Sequence, residues 1–212
     1  MTAIDRLISV ARAELGRTEW PPGSNMNPYG EAYGANGVPW CVIGLWWVFQ
    51  AAGQSMAFYG GGKTARCTVL LEYYEQMGML VPFTKAQPAD IAFMNFKGTR
   101  EADHCGLVTE RDGVLLRTVE FNTTPGLEGS QDNGGSVAEK VRYPYQIVAV
   151  ARPQYKDEPE TDWEGHWAAE HIRRAIDSGI MTGYEDGTWQ PDKPVTRAEL
   201  AVVLHRLEGT KS

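Results

Sequence analysis

Apolar residues recur at Ile4, Leu7, Ile8, Ala11 and Leu15, a spacing of three to four that predicts an amphipathic helix ended by Gly16. Arg17 to Pro39 has no such period and is rich in Gly, Pro and polar residues, so it is expected to be a long loop, and loops of that length in compact domains tend to be functional. Cys41 to Ala52 is apolar all round, the signature of a buried helix, and Gly53 stops it. Thr68 to Met77 predicts a third helix, ended by Gly78. From Ile91 the pattern changes to runs of strand length: Ile91 to Phe96, Cys105 to Glu110, Val114 to Phe121 and Gln146 to Ala151. Helices first and antiparallel strands afterwards predict an α+β fold over residues 1–155.

The segment 156–162 is polar, acidic and contains Pro, which is the composition of a linker. Beyond it, 163–208 predicts a small two-helix module. One stripe holds Trp167, Ala168, His171, Ile172, Ala175 and Ile176, closed by Gly179. The second helix opens at Thr196-Arg197-Ala198-Glu199, where hydroxyl and carboxylate can cap each other's backbone amides. About 45 residues is a marginal size for an independent core, so this module is expected to pack against something else.

Composition narrows the classes of function. A net charge of -7 argues against a nucleic-acid or anionic-membrane partner, both of which need clustered Lys and Arg. The longest apolar stretch, Trp40 to Phe49, is half a membrane span. No charged leader followed by an apolar core opens the sequence, so the chain is expected to be made in a host cytoplasm without a signal peptide. Three cysteines, Cys41, Cys67 and Cys105, cannot all pair with one another, and their spacing matches no metal-ligand pattern.

Chemistry concentrates in two places. Cys41 begins a helix, where the macrodipole and uncapped amides favour a thiolate. His104 stands at the head of a predicted hairpin. A three-residue loop Arg111-Asp112-Gly113 would set His104 opposite Glu120, roughly 4.5–5.5 Å apart at Cβ, with Asn122 on the same face. A two-residue loop would shift that register. Nucleophile, base and orienting carboxylate are the parts of a thiol hydrolase. Cys67 lies in apolar company and is expected to be core. Cys105 alternates to the face opposite His104 and is expected to pack. Tyr29 and Tyr33, in the loop before the nucleophile, and Trp40 beside it are candidates to line a substrate cleft.

Trp40-Cys41, Ala89-Asp90-Ile91-Ala92-Phe93, Asp103-His104-Cys105-Gly106-Leu107-Val108 and Val119-Glu120-Phe121-Asn122-Thr123 together resemble the CHAP domain, the cysteine, histidine-dependent amidohydrolases and peptidases of the papain-like superfamily. The resemblance covers about residues 1–155. It implies that Cys41 is the nucleophile, His104 the general base and later acid, Glu120 the orienting residue and Asn122 an auxiliary polar group, and that the substrate is an amide bond of peptidoglycan.

Gly165-His166-Trp167-Ala168, the run Ile176 to Trp189, Pro191 and Thr196-Arg197-Ala198-Glu199-Leu200 closely resemble an S-layer homology motif. That resemblance implies binding of a secondary cell-wall polymer, with Trp167 and Arg197 as candidate contacts. Such modules usually hold three motifs, and one is present here, so self-association into a homo-oligomer is the other expectation.

No cofactor is expected, and no metal is assigned: His166, His171 and His205 have no partner at ligand spacing, and Tyr184-Glu185-Asp186-Gly187 lacks the spaced oxygens of a calcium loop. The reading is therefore a phage-type or prophage-type endolysin that acts on a Gram-positive-type wall after release. Two alternatives stand beside it. One is a non-catalytic wall-binding protein on a degenerate papain-like scaffold, against which the intact Cys41, His104 and Glu120 argue. The other is an amidase of a small cytoplasmic amide, against which the tail argues.

Overall fold

The computed structural model describes residues 2–99, 101–126, 133–156 and 161–209. The chain divides into two compact units, Met1–Asp157 and Glu158–Ser212. Part of the expected linker, 157–160, lies outside the described residues.

In the first unit, helix α1 (Ala3–Ala13) starts at Thr2, whose hydroxyl accepts from the Asp5 amide while the Asp5 carboxylate accepts from the Thr2 amide. The expected long loop contains a helix, α2 (Pro28–Tyr33), begun by Asn27 as cap with Pro at the first position and stopped by Gly34 in the left-handed conformation. Helix α3 (Cys41–Ala51) buries nearly every side chain, in keeping with an apolar surface on all sides. Helix α4 (Cys67–Gln76) follows.

Among the described residues, six strands form one antiparallel sheet: β1 (Leu80–Val81), β2 (Ile91–Met94), β3 (His104–Asp112), β4 (Leu115–Thr123), β5 (Ser136–Arg142) and β6 (Ile147–Ala151), in the order β1-β6-β2-β3-β4-β5. The pattern of the sequence did not reveal β5. It carries Lys140 and Arg142, which look like a solvent face but are fully buried. One face of the sheet, with Cys105, Leu107, Val119 and Phe121, closes the main core against α3. Contact is closest at Gly44, where a Cβ would meet the Phe121 ring at 2.2 Å.

The β3–β4 hairpin corrects the predicted register. Its loop has two residues, Gly113 and Val114, between Asp112 and Leu115, and an irregularity between Val108 and Glu110 then shifts the pairing. Beyond it Glu120 faces Gly106 instead of His104. The displacement there is two positions, so Glu120 keeps the face it was assigned.

The second unit contains α5 (Ala169–Asp177) and α6 (Arg197–Gly209). The Thr196–Glu199 cap forms as the sequence predicts, with Glu199 N to Thr196 Oγ1 at 3.2 Å and Thr196 N to Glu199 Oε2 at 2.7 Å. The connection between the helices is held by the Asp162 carboxylate, which accepts from the Trp189 and Gln190 amides. Ile172 is the one fully buried residue of α5, and in α6 Val203 and Leu207 are only partly buried. Among the described residues, no helix is long and apolar enough to cross a membrane.

Candidate active site

Glu120 projects from β4 with no exposed surface, so its charge must be met inside the protein. Three groups meet it. Arg142 of β5 donates from Nε to Oε1 at 2.6 Å and from a terminal nitrogen to Oε2 at 2.5 Å, a two-point grip. The Thr118 hydroxyl donates to Oε1 at 2.6 Å. His104 Nε2 lies 2.9 Å from Oε2. Burial alone would raise the carboxyl, but Arg142 and His104 outweigh it and hold Glu120 down at about 2.

The register explains how Glu120 reaches a histidine it does not face. Gly106 stands opposite, and a Cβ there would come within 2.6 Å of Glu120 Cγ. The missing side chain leaves the room through which the carboxylate leans along the sheet to His104. The imidazole is itself 2% exposed and lies edge-on to Phe96, over whose ring the Arg142 guanidinium sits at 4.8 Å. Burial would lower the His104 pKa, yet interaction with Cys41 and Glu120 pushes it up to about 9.

Cys41 is the first residue of α3, and Trp40 supplies no side-chain cap to the helix. The residue is 7% exposed. Its pKa lies well below the usual thiol value, through hydrogen bonding from Cys105 and then Cys67, against the cost of burial, with His104 adding to the effect. Burial first, and then contact with Cys41 and Cys67, pushes Cys105 well above the ordinary thiol range, while for Cys67 contact with Cys105 lowers the value and contact with Cys41 together with burial outweighs it.

Sequence reasoning missed this sulfur cluster. Cys67 and Cys105 are buried, as expected of core residues, but their sulfurs and that of Cys41 lie within 4.8 Å of one another. The spacing 41, 67, 105 carries no signal, because the fold gathers the first residue of α3, the first of α4 and the second of β3. Arg142 was missed with its strand.

Of the other candidates, Asn122 stands near the end of β4. Its φ of 54° is left-handed, and its side-chain amide donates to Asn133 Oδ1 and accepts from the Gly135 amide, so it ties β4 to the approach to β5. Tyr29 and Trp40 are buried and stack on each other at 5.5 Å, and the Tyr29 hydroxyl donates to Glu14. They support the core beneath α3 instead of lining a cleft. Tyr33 is half-buried against Trp46, with the Lys63 ammonium 5.0 Å from its ring. In the second unit Trp167 is 86% exposed and Arg197 is exposed at the start of α6. A cleft of about 400 Å³ in that unit is lined by Tyr184, Trp189, Lys193 and Arg206 among others, and neither Trp167 nor Arg197 borders it.

Comparison with known proteins bears on the second unit most directly. Residues 161–201 match the S-layer homology domain. The chain is 48% identical over 64 residues to Cell surface glycoprotein 1 of Acetivibrio thermocellus, covering 30% of this chain and 3% of that protein. It is 44% identical over 43 residues to the Cellulosome-anchoring protein of the same organism, covering 20% and 10%. With S-layer protein EA1 of Bacillus anthracis it shares 37% over 60 residues, covering 28% and 6%. The chain thus spans a tenth or less of the length of these relatives. Among solved structures it overlaps a wild-type endolysin, LysIME-EF1, with TM-score 0.46 and 15% identity over 74% of this chain and 66% of that one. Ly7917 overlaps with TM-score 0.39 and 14% identity, over 71% and 62%. Overlaps this shallow establish neither activity nor substrate.

Proposed function

We propose that the first unit is a papain-like CHAP hydrolase that cuts an amide bond of peptidoglycan, and that the second attaches it to the wall. The observation that carries the catalytic part is the buried chain of contacts from Arg142 through Glu120 to His104, ending at a thiol whose pKa is lowered. A scaffold without chemistry has no use for a buried carboxylate that holds an imidazole against a thiolate.

Cys41 Sγ, as thiolate, attacks the carbonyl carbon of the scissile amide. The resulting oxyanion is received by backbone amides of the first turn of α3, which has no side-chain cap. The His104 imidazolium gives its proton to the departing amine, leaving a thioester on Cys41. Water then attacks the thioester with His104 as base, releasing the acid and restoring thiolate and imidazolium. Glu120 keeps the ring in one orientation and tautomer and stabilises its positive charge. Tyr33 is the remaining candidate for substrate contact.

Wall attachment rests on the match of residues 161–201 to the S-layer homology domain. The partner proposed from that resemblance is a secondary cell-wall polymer, with Trp167 and Arg197 as contacts. Leu200, Val202 and Leu204 of α6 are all about half exposed, which supports self-association of this unit as a second role. Co-sedimentation with Gram-positive sacculi tests attachment: the Cys41→Ala protein is expected to pellet with them, and a chain ending at Tyr155 is expected to remain in solution. Equal pelleting of both would place attachment in the first unit instead.

A further inference from the structure

The cysteines offer more than a nucleophile and two neighbours. Three sulfurs lie within 4.8 Å of one another, with Cys41 Sγ to Cys67 Sγ at 3.8 Å. A disulfide would need about 2.05 Å, so no pair is close to that bond. A cation held at the usual metal–sulfur distance of about 2.3 Å keeps its thiolates about 3.8–4.0 Å apart, whether the site is tetrahedral or trigonal. The Cys41–Cys67 spacing is that of two sulfurs sharing one ion, and the Cys105 sulfur lies within 4.8 Å of both. Each sulfur also sits on a separate rigid element, at the start of α3, the start of α4 and near the start of β3, so the triangle is set by the packed core and not by a loop.

We infer that Cys41, Cys67 and Cys105 form a binding site for a soft, thiophilic cation of the zinc(II) or copper(I) class. All-sulfur donors in a buried setting select such ions over the hard cations magnesium and calcium, which require oxygen. Binding replaces thiol protons: the ion takes three thiolates, the displaced protons pass to solvent, and no atom changes oxidation state. The lone pair with which Cys41 would attack an amide is then engaged by the metal. Occupancy therefore switches the nucleophile off, and removal of the ion restores it. That inhibitory consequence rests on the proposed hydrolase; the binding site does not.

The test uses the full chain, freed of metal and kept reduced with a phosphine, and titrated with cadmium(II) as a spectroscopic probe. The expected result is one ion per chain with an ultraviolet thiolate-to-metal charge-transfer band, competed away by zinc(II) and by copper(I) in separate arms. Cys67→Ser and Cys105→Ser are each expected to weaken cadmium binding by more than about tenfold. Far-ultraviolet circular dichroism identifies any variant that has not folded, and either folded variant suffices. Absence of the band in the wild type, or an equal band and affinity in a folded serine variant, overturns the site. Zinc(II) at one equivalent is also expected to stop release of sacculus fragments, with recovery on chelation. If the ion binds but metal-free protein releases nothing, the hydrolase reading fails and the site stands. If fragments are released and no ion binds, the site fails alone.

Discussion

At the scale of single residues, two titrating groups, His104 and Glu120, and one buried cation, Arg142, set the charge of the site. The His104 pKa is raised to about 9, so the imidazolium that must protonate the leaving amine persists above neutrality and is lost only as pH rises through about 9. The contribution of that charge to stability is complete below the ordinary histidine value of about 6.5 and disappears over the same rise. Glu120 has the opposite sign: its pKa is depressed to about 2, so its contribution is complete above the ordinary carboxylate range and is lost only as pH falls toward 2. Glu120→Gln removes one of the two anions, beside Cys41, that raise His104. The alkaline limb of the kcat/KM profile is expected to move to lower pH, with a loss of activity of about 10²-fold or more, measured on a soluble muropeptide. An unmoved limb would mean that Glu120 does not set the charge of the imidazole. Arg142→Ala leaves Glu120 buried without its main partner, and urea unfolding is expected to show a loss of about 3–5 kcal/mol. Arg142→Lys keeps the charge but cannot grip both oxygens, and should fall between the two.

At the scale of elements, what the sequence made legible follows the kind of signal each element carries. The apolar run of α3 and the strand-length runs of β3 and β4 are legible because Leu107, Val108, Val119 and Phe121 mark buried positions. β5 was hidden by Lys140 and Arg142, since charge ordinarily marks a solvent face and here faces the Glu120 carboxylate. The helix α2 was hidden in a Gly- and Pro-rich segment, although Asn27 and Pro28 form a readable start signal. The pairing of His104 with Glu120 survived a wrong hairpin loop because the error was two positions at the site, which leaves each side chain on its own face. A single-position error would have separated them. Close packing of α3 on β4 through Gly44 yields a prediction at this scale: Gly44→Ala drives a methyl into Phe121, and is expected to cost about 1–3 kcal/mol by chemical denaturation. Because α3 also carries Cys41, the rate of Cys41 alkylation by iodoacetamide in the folded variant is expected to change as well. An unchanged stability and rate would show that the helix can shift without consequence.

At the scale of the whole molecule, the chain joins a unit with a full core to one that buries almost nothing. The first holds a polar chain inside, in which Arg142, Glu120 and His104 are one another's partners. The second leaves Leu200, Val202 and Leu204 in solvent on one helix, a pattern expected of a module completed by another surface. Leu200→Glu with Leu204→Glu is expected to lower the mass measured by light scattering if copies associate through α6, while leaving the melting of the first unit unchanged. A mass independent of the substitutions would remove self-association and leave wall polymer as the surface α6 meets. The central claim is that Cys41 cuts wall amides, and its most direct measurement is digestion of purified Gram-positive sacculi by metal-free wild-type and Cys41→Ala protein, with released fragments and new amino termini identified by mass spectrometry. Soluble fragments and new termini are expected from the wild type and none from the variant. Equal release by both proteins, or no release by the wild type from several wall chemotypes while it binds them, would contradict it.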